Sequence, residues 1–272
     1  MEKFLNLGCG TRICADPRWV HVDFASAHSK VIRHNLLEEI PFPDGSFAAV
    51  YSSHVLEHFL REDGKRLVRE CFRVARSGGV VRIAVPDLEQ ICRLYLTALE
   101  GVRGGDDAWR DRYEWMMLEL LDQSVRTRPG GEMLEHLRRE ELDAGFILSR
   151  IGGTGRDLIA ACREESRKGD RGGEKPPGGL RRLRVLRRNI LLDRKERKAV
   201  ELGLFRLGGE VHQWMYDEWS LGALLRDAGF LEVRRCSATE SGIPEWVGFG
   251  LDIDPDGMEH APNSVYMEGT RP

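Results

Sequence analysis

The sequence predicts an α/β fold: a mostly parallel sheet of about seven strands with helices on both faces and a large helical insertion between strands five and six. Three observations predict it. Short apolar runs bounded by turn residues alternate with stretches of helical periodicity, as in a parallel sheet covered by helices. After Pro86-Asp87 the pattern gives way to more than a hundred residues of helical and then Gly-rich sequence. It resumes near Ser220 and closes on a last apolar run.

Taken in order, Phe4-Leu5-Asn6-Leu7 is the first strand and stops at Gly8-Cys9-Gly10, and Trp19-Val20-His21-Val22-Asp23 is the second, ending on an acid. Only eleven residues, Gly8 to Arg18, join them. Parallel neighbours ordinarily need a dozen or more, so the crossover helix is expected to shrink to about one turn. Val31 to Asn35, Phe47 to Tyr51 and Gly79 to Val85 are the third, fourth and fifth strands. Between the last two, Leu67, Val68, Cys71, Phe72 and Ala75 recur at helical spacing, and Ser77-Gly78-Gly79 is expected to stop that helix.

Beyond Asp87, Leu88, Ile91, Cys92, Tyr95, Leu96 and Leu99 form one helical stripe. Trp109, Tyr113, Met116, Met117, Leu120 and Leu121 form another, both read as packing faces. Residues 150 to 200 turn Gly-rich, Pro-containing and basic, and read as a loop. Ser220 is the expected N-cap of a helix carrying Leu221, Leu224, Leu225 and Ala228 and ending at Gly229. A strand follows from Phe230, and Ser264 to Glu268 is the last. The expected division is a core of residues 1–87 and 211–272 and an insertion of residues 88–210, with a flexible basic loop near 163–198.

In 272 residues, 41 Lys and Arg face 44 Asp and Glu, a formal charge of -3, which argues against a surface built for nucleic acid. There is no apolar run of about 18 residues, and the opening Met1-Glu2-Lys3-Phe4-Leu5 lacks the pattern of a signal peptide, so a cytoplasmic protein is expected. The six cysteines (Cys9, Cys14, Cys71, Cys92, Cys162, Cys236) form no C-x-x-C pair and no zinc-type spacing. Reduced thiols and no metal are expected. Cys9 reads as a small residue that fits its turn.

Gly8 and Gly10, directly after a buried strand, let the backbone pass close to a ligand. Asp23, ending the neighbouring strand, lies beside them in a parallel sheet, where a carboxylate can accept from the hydroxyls of a ribose. An adenosine-type ligand at the carboxyl ends of the strands follows. A dinucleotide is disfavoured: the third glycine of G-x-G-x-x-G is replaced by Ile13, and Asp23 comes earlier than the usual acid.

LNLGCG, then VDF, then NLLEEIPFPDGSF, then SSHVLEHF, then FRVARSGGVVRIAVPDLE together resemble, in one continuous order, the seven-stranded Rossmann-like S-adenosylmethionine-dependent methyltransferases (class I). HQWMYDEWSLGALLRDAGF and SVYMEGTRP resemble a subgroup often found near polysaccharide and glycosyltransferase genes, which shares the short first connection. The resemblance covers residues 3 to 89 and 210 to 272 and leaves out the insertion. It implies S-adenosyl-L-methionine as cofactor, with Gly8 and Gly10 facing its methionine and ribose portions, Asp23 the ribose hydroxyls and Phe24 flanking the adenine. Asn35 and Leu36 match the position that meets the adenine ring, where aspartate is commoner than asparagine. Ser53 and His54 match the segment bordering the sulfonium. His54 and His58 read equally well as helix caps or core hydrogen-bond partners, and Glu57 as an internal salt-bridge partner.

For such a cofactor the protein has mainly to align an acceptor and exclude water. An alcohol acceptor must lose its proton, and His54 and His212 are the candidate bases. Tyr216 and Asp217 are candidates to line the acceptor pocket, as is Asp87, and the insertion is the expected lid. Between Arg163 and Lys198, fourteen Lys and Arg against six Asp and Glu give +8 and leave -11 for the rest of the chain. Leu183, Leu186 and Ile190 among arginines there describe a basic amphipathic helix, either lying on the acidic remainder or meeting a membrane surface that carries a glycolipid. The leading expectation is O-methylation of a sugar, glycolipid or glycosylated metabolite, the partner being a small-molecule or saccharide acceptor. Transfer to a small amine, carboxylate or other natural product, intramolecular alkylation within the cofactor, and a non-catalytic cofactor-binding partner protein stay open, as does the oligomeric state.

Overall fold

The computed structural model of the chain describes residues 2–168 and 192–272. Its sheet has seven strands in the order β3-β2-β1-β4-β5-β7-β6. They are β1 (Phe4–Leu7), β2 (Trp19–Asp23), β3 (Val31–Arg33), β4 (Phe47–Ser53), β5 (Ala75–Pro86), β6 (Leu231–Cys236) and β7 (Ser264–Thr270). The first five run parallel, and β7 lies antiparallel between β5 and β6. Every residue of β1 is buried because it sits near the middle of a sheet covered on both faces.

One face is covered by helices. Leu67, Val68, Cys71 and Val74 of α1 (Arg61–Val74) and Leu221 and Leu225 of α7 (Glu218–Asp227) pack on Leu5, Leu7, Val50, Val81, Ile83 and Val265. The second expected helical layer is replaced. Over Phe4, Trp19, Ala49 and Tyr51 lie Ile243, Trp246, Phe249 and Leu251, from a largely irregular segment whose helical part is the single 3-10 turn Trp246–Phe249. The reason is the first connection. Gly8 to Arg18 contains no helical turn at all, so no crossover helix covers this face, and the aromatic segment near the C-terminus fills the space.

That short connection is held by polar side chains on the strands. Asn6, buried in β1, donates from Nδ2 to the Arg12 carbonyl (3.0 Å) and faces His21 Nδ1 (3.3 Å), while His21 Nε2 meets the Cys14 carbonyl at 3.2 Å. A carbonyl can only accept, so Nε2 carries the His21 proton and Nδ1 accepts from Asn6. Arg12 then clamps the connection to the covering segment, donating to the carbonyls of Gly250 and Leu251 (both 2.7 Å) and to Asp254 (2.8 Å). On the same face Arg82, fully buried, pairs with Asp252 and Glu268 and stacks between Trp246 and Tyr266.

Several boundaries differ from expectation. α1 ends at Val74, and Ser77-Gly78-Gly79 lies inside β5, where the pairing with β4 shifts register between Phe47 and Ala49. The glycines therefore serve a bulge in the strand and do not stop the helix. Ser220 is not the N-cap of α7. Asp217 is, with Ser220 as its reciprocal partner three residues on.

The insertion contributes α2 (Leu88–Arg103), α3 (Trp109–Val125), α4 (Gly131–Leu137), α5 (Ala144–Lys168, bent at Gly152) and α6 (Arg194–Arg206). Its own core gathers Ile91, Ala98, Trp115, Met116, Leu137 and Ile147, while Leu96 and Leu121 of the expected stripes are exposed. The expected loop near 163–198 is helical at both described ends, up to Lys168 and from Arg194, where Asp193 and Glu196 form a capping box. The amphipathic stretch at Leu183, Leu186 and Ile190 lies outside the described residues. Among the described residues no helix is long and apolar enough to cross a membrane.

Candidate active site

Where β1 ends, the chain turns through Gly8 at φ +63° and Gly10 at φ +51°, a region that side chains rarely adopt. Gly8 donates to the Val22 carbonyl (2.8 Å), fixing the turn against β2. The two glycines do different work. A Cβ at Gly8 would stand 2.2 Å from Val55, whereas a Cβ at Gly10 would meet nothing within 4 Å. Gly8 is required by packing, and Gly10 faces open space. Burial, and then the Asp23 charge, push the Cys9 thiol between them up to about 11, so it is not an available thiolate.

Asp23 holds this turn. Its Oδ2 accepts from Gly10 N–H (2.8 Å) and its Oδ1 from Ala25 (2.7 Å) and Ser26 (2.8 Å). An ionised carboxylate offers about four acceptor positions, so three are spent on the backbone and about one is left for a ligand hydroxyl. Phe24 is exposed beside it, and the two neighbouring segments are tied by His34 N–H to the Asp23 carbonyl and by Arg33 Nε to the Phe24 carbonyl. Asn35 accepts from Leu37 N–H, and Leu36 turns its side chain into the core.

Beyond the turn opens a cavity of about 780 Å³ between the carboxyl ends of β1 and β4 and the insertion helices. Its size falls in the range of about 300–1,000 Å³ common for small-molecule sites. Gly8, Gly10, Ser53, His54 and His212 line it. Asp23 adjoins the turn, but Asp23, Phe24, Asn35 and Leu36 lie outside the cavity wall, as do Tyr216, Asp217 and Asp87.

The last three are structural here. Tyr216 is buried in the main core, which pushes its hydroxyl up to about 12, and Asp217 is spent as the N-cap of α7. Asp87 caps α2 by accepting from Gln90 N–H (3.1 Å) and pairs with Arg235 (3.0 Å). These acids terminate strands or open helices, and the orphan amides of the helix ends take their oxygens.

On the cavity wall, joined to α3 of the insertion through His212, sits a cluster around one carboxylate. Glu57 is fully buried in the 3-10 turn Leu56–His58, and the rings of His54, His58 and His212 surround it. His54 has φ +53°, a conformation costly for a side-chain residue and held by its N–H bond to the Ala84 carbonyl (2.9 Å). The strain aims the ring: Nε2 meets Ser264 Oγ at 2.8 Å, and Nδ1 lies 3.3 Å from Glu57 Oε1. His212 is fixed by its backbone, donating to the Gln123 carbonyl of α3 (2.9 Å), while the next two amides donate to the Glu57 carbonyl (2.7 and 3.1 Å). Its ring stands edge-on to His58 at 4.8 Å between centroids.

The charges are uneven. Burial pushes the His212 imidazole down to about 4, against the pull of Glu57, so it is neutral near pH 7 with a free lone pair. Burial alone would raise the Glu57 carboxyl. The adjacent His54 ring and the neighbouring histidine charges outweigh it and hold Glu57 down at about 2, ionised.

Glu57 and His58 thus belong to the cavity, a placement that their helix-cap and salt-bridge readings did not contain. The signal was the pair of histidines flanking an acid in SSHVLEHF, but only the fold brings His212 to them. The fold also supplies Arg126, Glu210 and Asn263 to the wall, the last donating to Glu119 of α3 (2.9 Å) and so tying core to insertion.

Strand order, an antiparallel seventh strand and a glycine turn beside an acid at the end of β2 define a class I Rossmann-like methyltransferase fold. Residues 5–83 match the family model described as a methyltransferase domain. A probable S-adenosylmethionine-dependent methyltransferase of Mycolicibacterium smegmatis is 45% identical over 56 residues, 21% of this chain and 21% of that protein. The chain therefore matches about a fifth of the length of this curated relative. Two solved structures cover nearly the whole chain at low similarity. An S-adenosylmethionine-dependent methyltransferase from Archaeoglobus fulgidus has 11% identity and a TM-score of 0.40, over 99% of this chain and 86% of that one. A possible histamine N-methyltransferase from Thermotoga maritima has 13% identity and a TM-score of 0.37, over 100% and 83%. Over residues 5–83 the chain is thus similar to methyltransferase domains, and the relative it matches is described as S-adenosylmethionine-dependent. The turn fits S-adenosylmethionine: Gly10 presents an open space that any Cβ would enter, Asp23 accepts from its N–H, and Ser53 and His54 line the same cavity.

Proposed function

We propose that the protein transfers the methyl of S-adenosylmethionine to a hydroxyl oxygen of a sugar, glycolipid or glycosylated metabolite held between the sheet edge and helices α3 to α5. The observation that carries this reading is that the Glu57 cluster and the Gly8–Gly10 turn open onto one cavity. When bound, the cofactor supplies a methyl already activated on a sulfonium. Gly8 and Gly10 receive its backbone, Asp23 its ribose, and the insertion excludes water from the transfer. An acceptor hydroxyl must shed its proton as the C–O bond forms, and the ionised Glu57 with the neutral His212 lowers the cost of that loss.

Polar groups such as Arg126, Glu210 and Gln123 stand on the wall beside Met133, Leu137 and Ile151. That mixture suits an acceptor with hydroxyls on one side and an apolar part on the other. The test is incubation with methyl-tritiated cofactor and a panel of saccharides, glycolipids and amines. Label in alkali-stable O-methyl ether is expected, and His212→Ala is expected to slow transfer with near-normal affinity for S-adenosylhomocysteine. Label found only on amines or carboxylates would overturn the oxygen acceptor.

A further inference from the structure

The Glu57 cluster leaves polar atoms unexplained. Both carboxylate oxygens of Glu57 and the Nδ1 atoms of His58 and His212 are buried without a well-aligned hydrogen-bond partner, and Glu57 and His212 are 0% and 5% exposed. Buried polar atoms in native proteins are satisfied unless an ion, a water or a catalytic role accounts for them. Here the three side chains converge. One ring nitrogen from His58, one from His212 and one Glu57 oxygen lie within 4.8 Å of one another.

We propose that Glu57, His58 and His212 form a binding site for a divalent first-row transition-metal ion, with its open coordination positions facing the acceptor. Two imidazoles and one carboxylate are a donor set that suits zinc, iron or manganese, and with only three protein ligands room is left for exogenous oxygen. Bonds of about 2.0–2.2 Å require the three ligand atoms to draw in by roughly an ångström, which rotation of the side chains supplies. His54, 3.3 Å from Glu57 Oε1, orients the carboxylate from outside the triad and leaves the second oxygen to the ion.

All three residues line the cavity that holds the glycine turn, so the ion's open positions meet the acceptor there. This role rests on the methyl-transfer reading, whereas the binding of the ion does not. An acceptor hydroxyl coordinated to the ion would lose its proton more readily, to the His54 ring, which lines the same cavity and stands outside the triad. Its oxygen lone pair then forms the C–O bond while the C–S pair returns to sulfur.

The experiment uses the full, tag-free chain, stripped with chelator and dialysed against Zn²⁺, Mn²⁺ or Co²⁺, with metal content measured by mass spectrometry and the Co²⁺ complex by visible absorption. The expected result is one ion per chain and ligand-field bands with Co²⁺. Glu57→Gln and His212→Ala should each weaken binding at least tenfold, and His28→Ala, at an exposed position outside the cavity wall, should leave it unchanged. Thermal unfolding is read on the same samples, because an ion held by the native triad raises the melting temperature of the wild type and not of the triad variants. Metal content well below one per chain, or binding that survives both triad substitutions in folded protein, overturns the site. Calorimetry with S-adenosylhomocysteine runs in parallel: its failure strikes the cofactor reading alone, and loss of metal with that affinity intact strikes the metal site alone.

Discussion

The pair Gly8→Ala and Gly10→Ala separates packing from ligand binding within one turn. At both positions φ is positive, +63° and +51°, and a side chain there costs roughly 1–2 kcal/mol. For Gly10 nothing is added, since its Cβ would meet no atom within 4 Å. A loss of about 1 kcal/mol lowers the melting temperature of a chain of this size by roughly 2–4 °C. For Gly8 the contact at 2.2 Å with Val55 adds an overpacking cost of about 1–3 kcal/mol. The fold therefore tolerates Gly10→Ala far better than Gly8→Ala. Cofactor binding should not follow that order. The methyl group that Gly10→Ala adds enters the space through which the cofactor must pass, and S-adenosylhomocysteine affinity should fall at least tenfold, a loss of about 1.4 kcal/mol. Circular dichroism melts and titration calorimetry on the same samples decide it. A folded Gly10→Ala protein that binds S-adenosylhomocysteine like wild type would refute the assignment of the turn.

Three further outcomes follow from the same geometry. Asp23→Ala should weaken S-adenosylhomocysteine binding at least tenfold by calorimetry, since charge-assisted hydrogen bonds are worth roughly 1.5–3 kcal/mol; unchanged affinity would remove Asp23 from the site. In chelator-treated protein, stability should rise with pH between about 4 and 6.5: over that window the unfolded chain protonates His212 at its ordinary value, the folded chain does not, and the full span approaches about 3 kcal/mol. Glu57, held at about 2, adds stability that is complete above about 4.5 and is lost as pH falls towards 2. Denaturant titrations from pH 4 to 7 should show the upper slope in the wild type and a flatter one in His212→Asn; equal slopes would assign it elsewhere. Arg82→Met should cost about 3–5 kcal/mol, because it strands Asp252 and Glu268 in the interior, and a melting temperature within a degree of wild type would contradict that account.

How much of this was legible in the sequence depends on the range of the interaction concerned. Strands β1, β2 and β4 declare themselves because a buried parallel strand must be apolar on both faces, and turn residues bound each run. The turn at Gly8 and Gly10 and the acid at Asp23 were legible for the same reason, their spacing being local. Tyr216 and Asp217 were expected to line the pocket and lie outside the cavity wall, because the side chains that satisfy helix ends and fill cores are of the same types that line pockets. Asp217 caps α7 with Ser220, three residues away, while the more obvious cap signal was Ser220 itself. The Glu57 cluster was illegible for the opposite reason: His212 reaches it only through a backbone held at both Gln123 and Glu57, and no spacing rule contains that contact.

The missing helical layer links fold to site. Because Gly8 to Arg18 is too short for a crossover helix, the covering segment must come from near the C-terminus, and Arg12 must bind it in place. That same segment supplies Leu251, His260 and Asn263 to the cavity wall, and Asn263 ties the segment to Glu119 in the insertion. A normal helix after β1 would have covered the face without reaching the cavity. Shortening the connection thus brings the C-terminal chain, the glycine turn and the insertion into one wall. A change in Arg12, which itself lines the cavity, should therefore disturb the cavity as well as stability, and its hydrogen bonds to Gly250, Leu251 and Asp254 carry the effect to the covering segment.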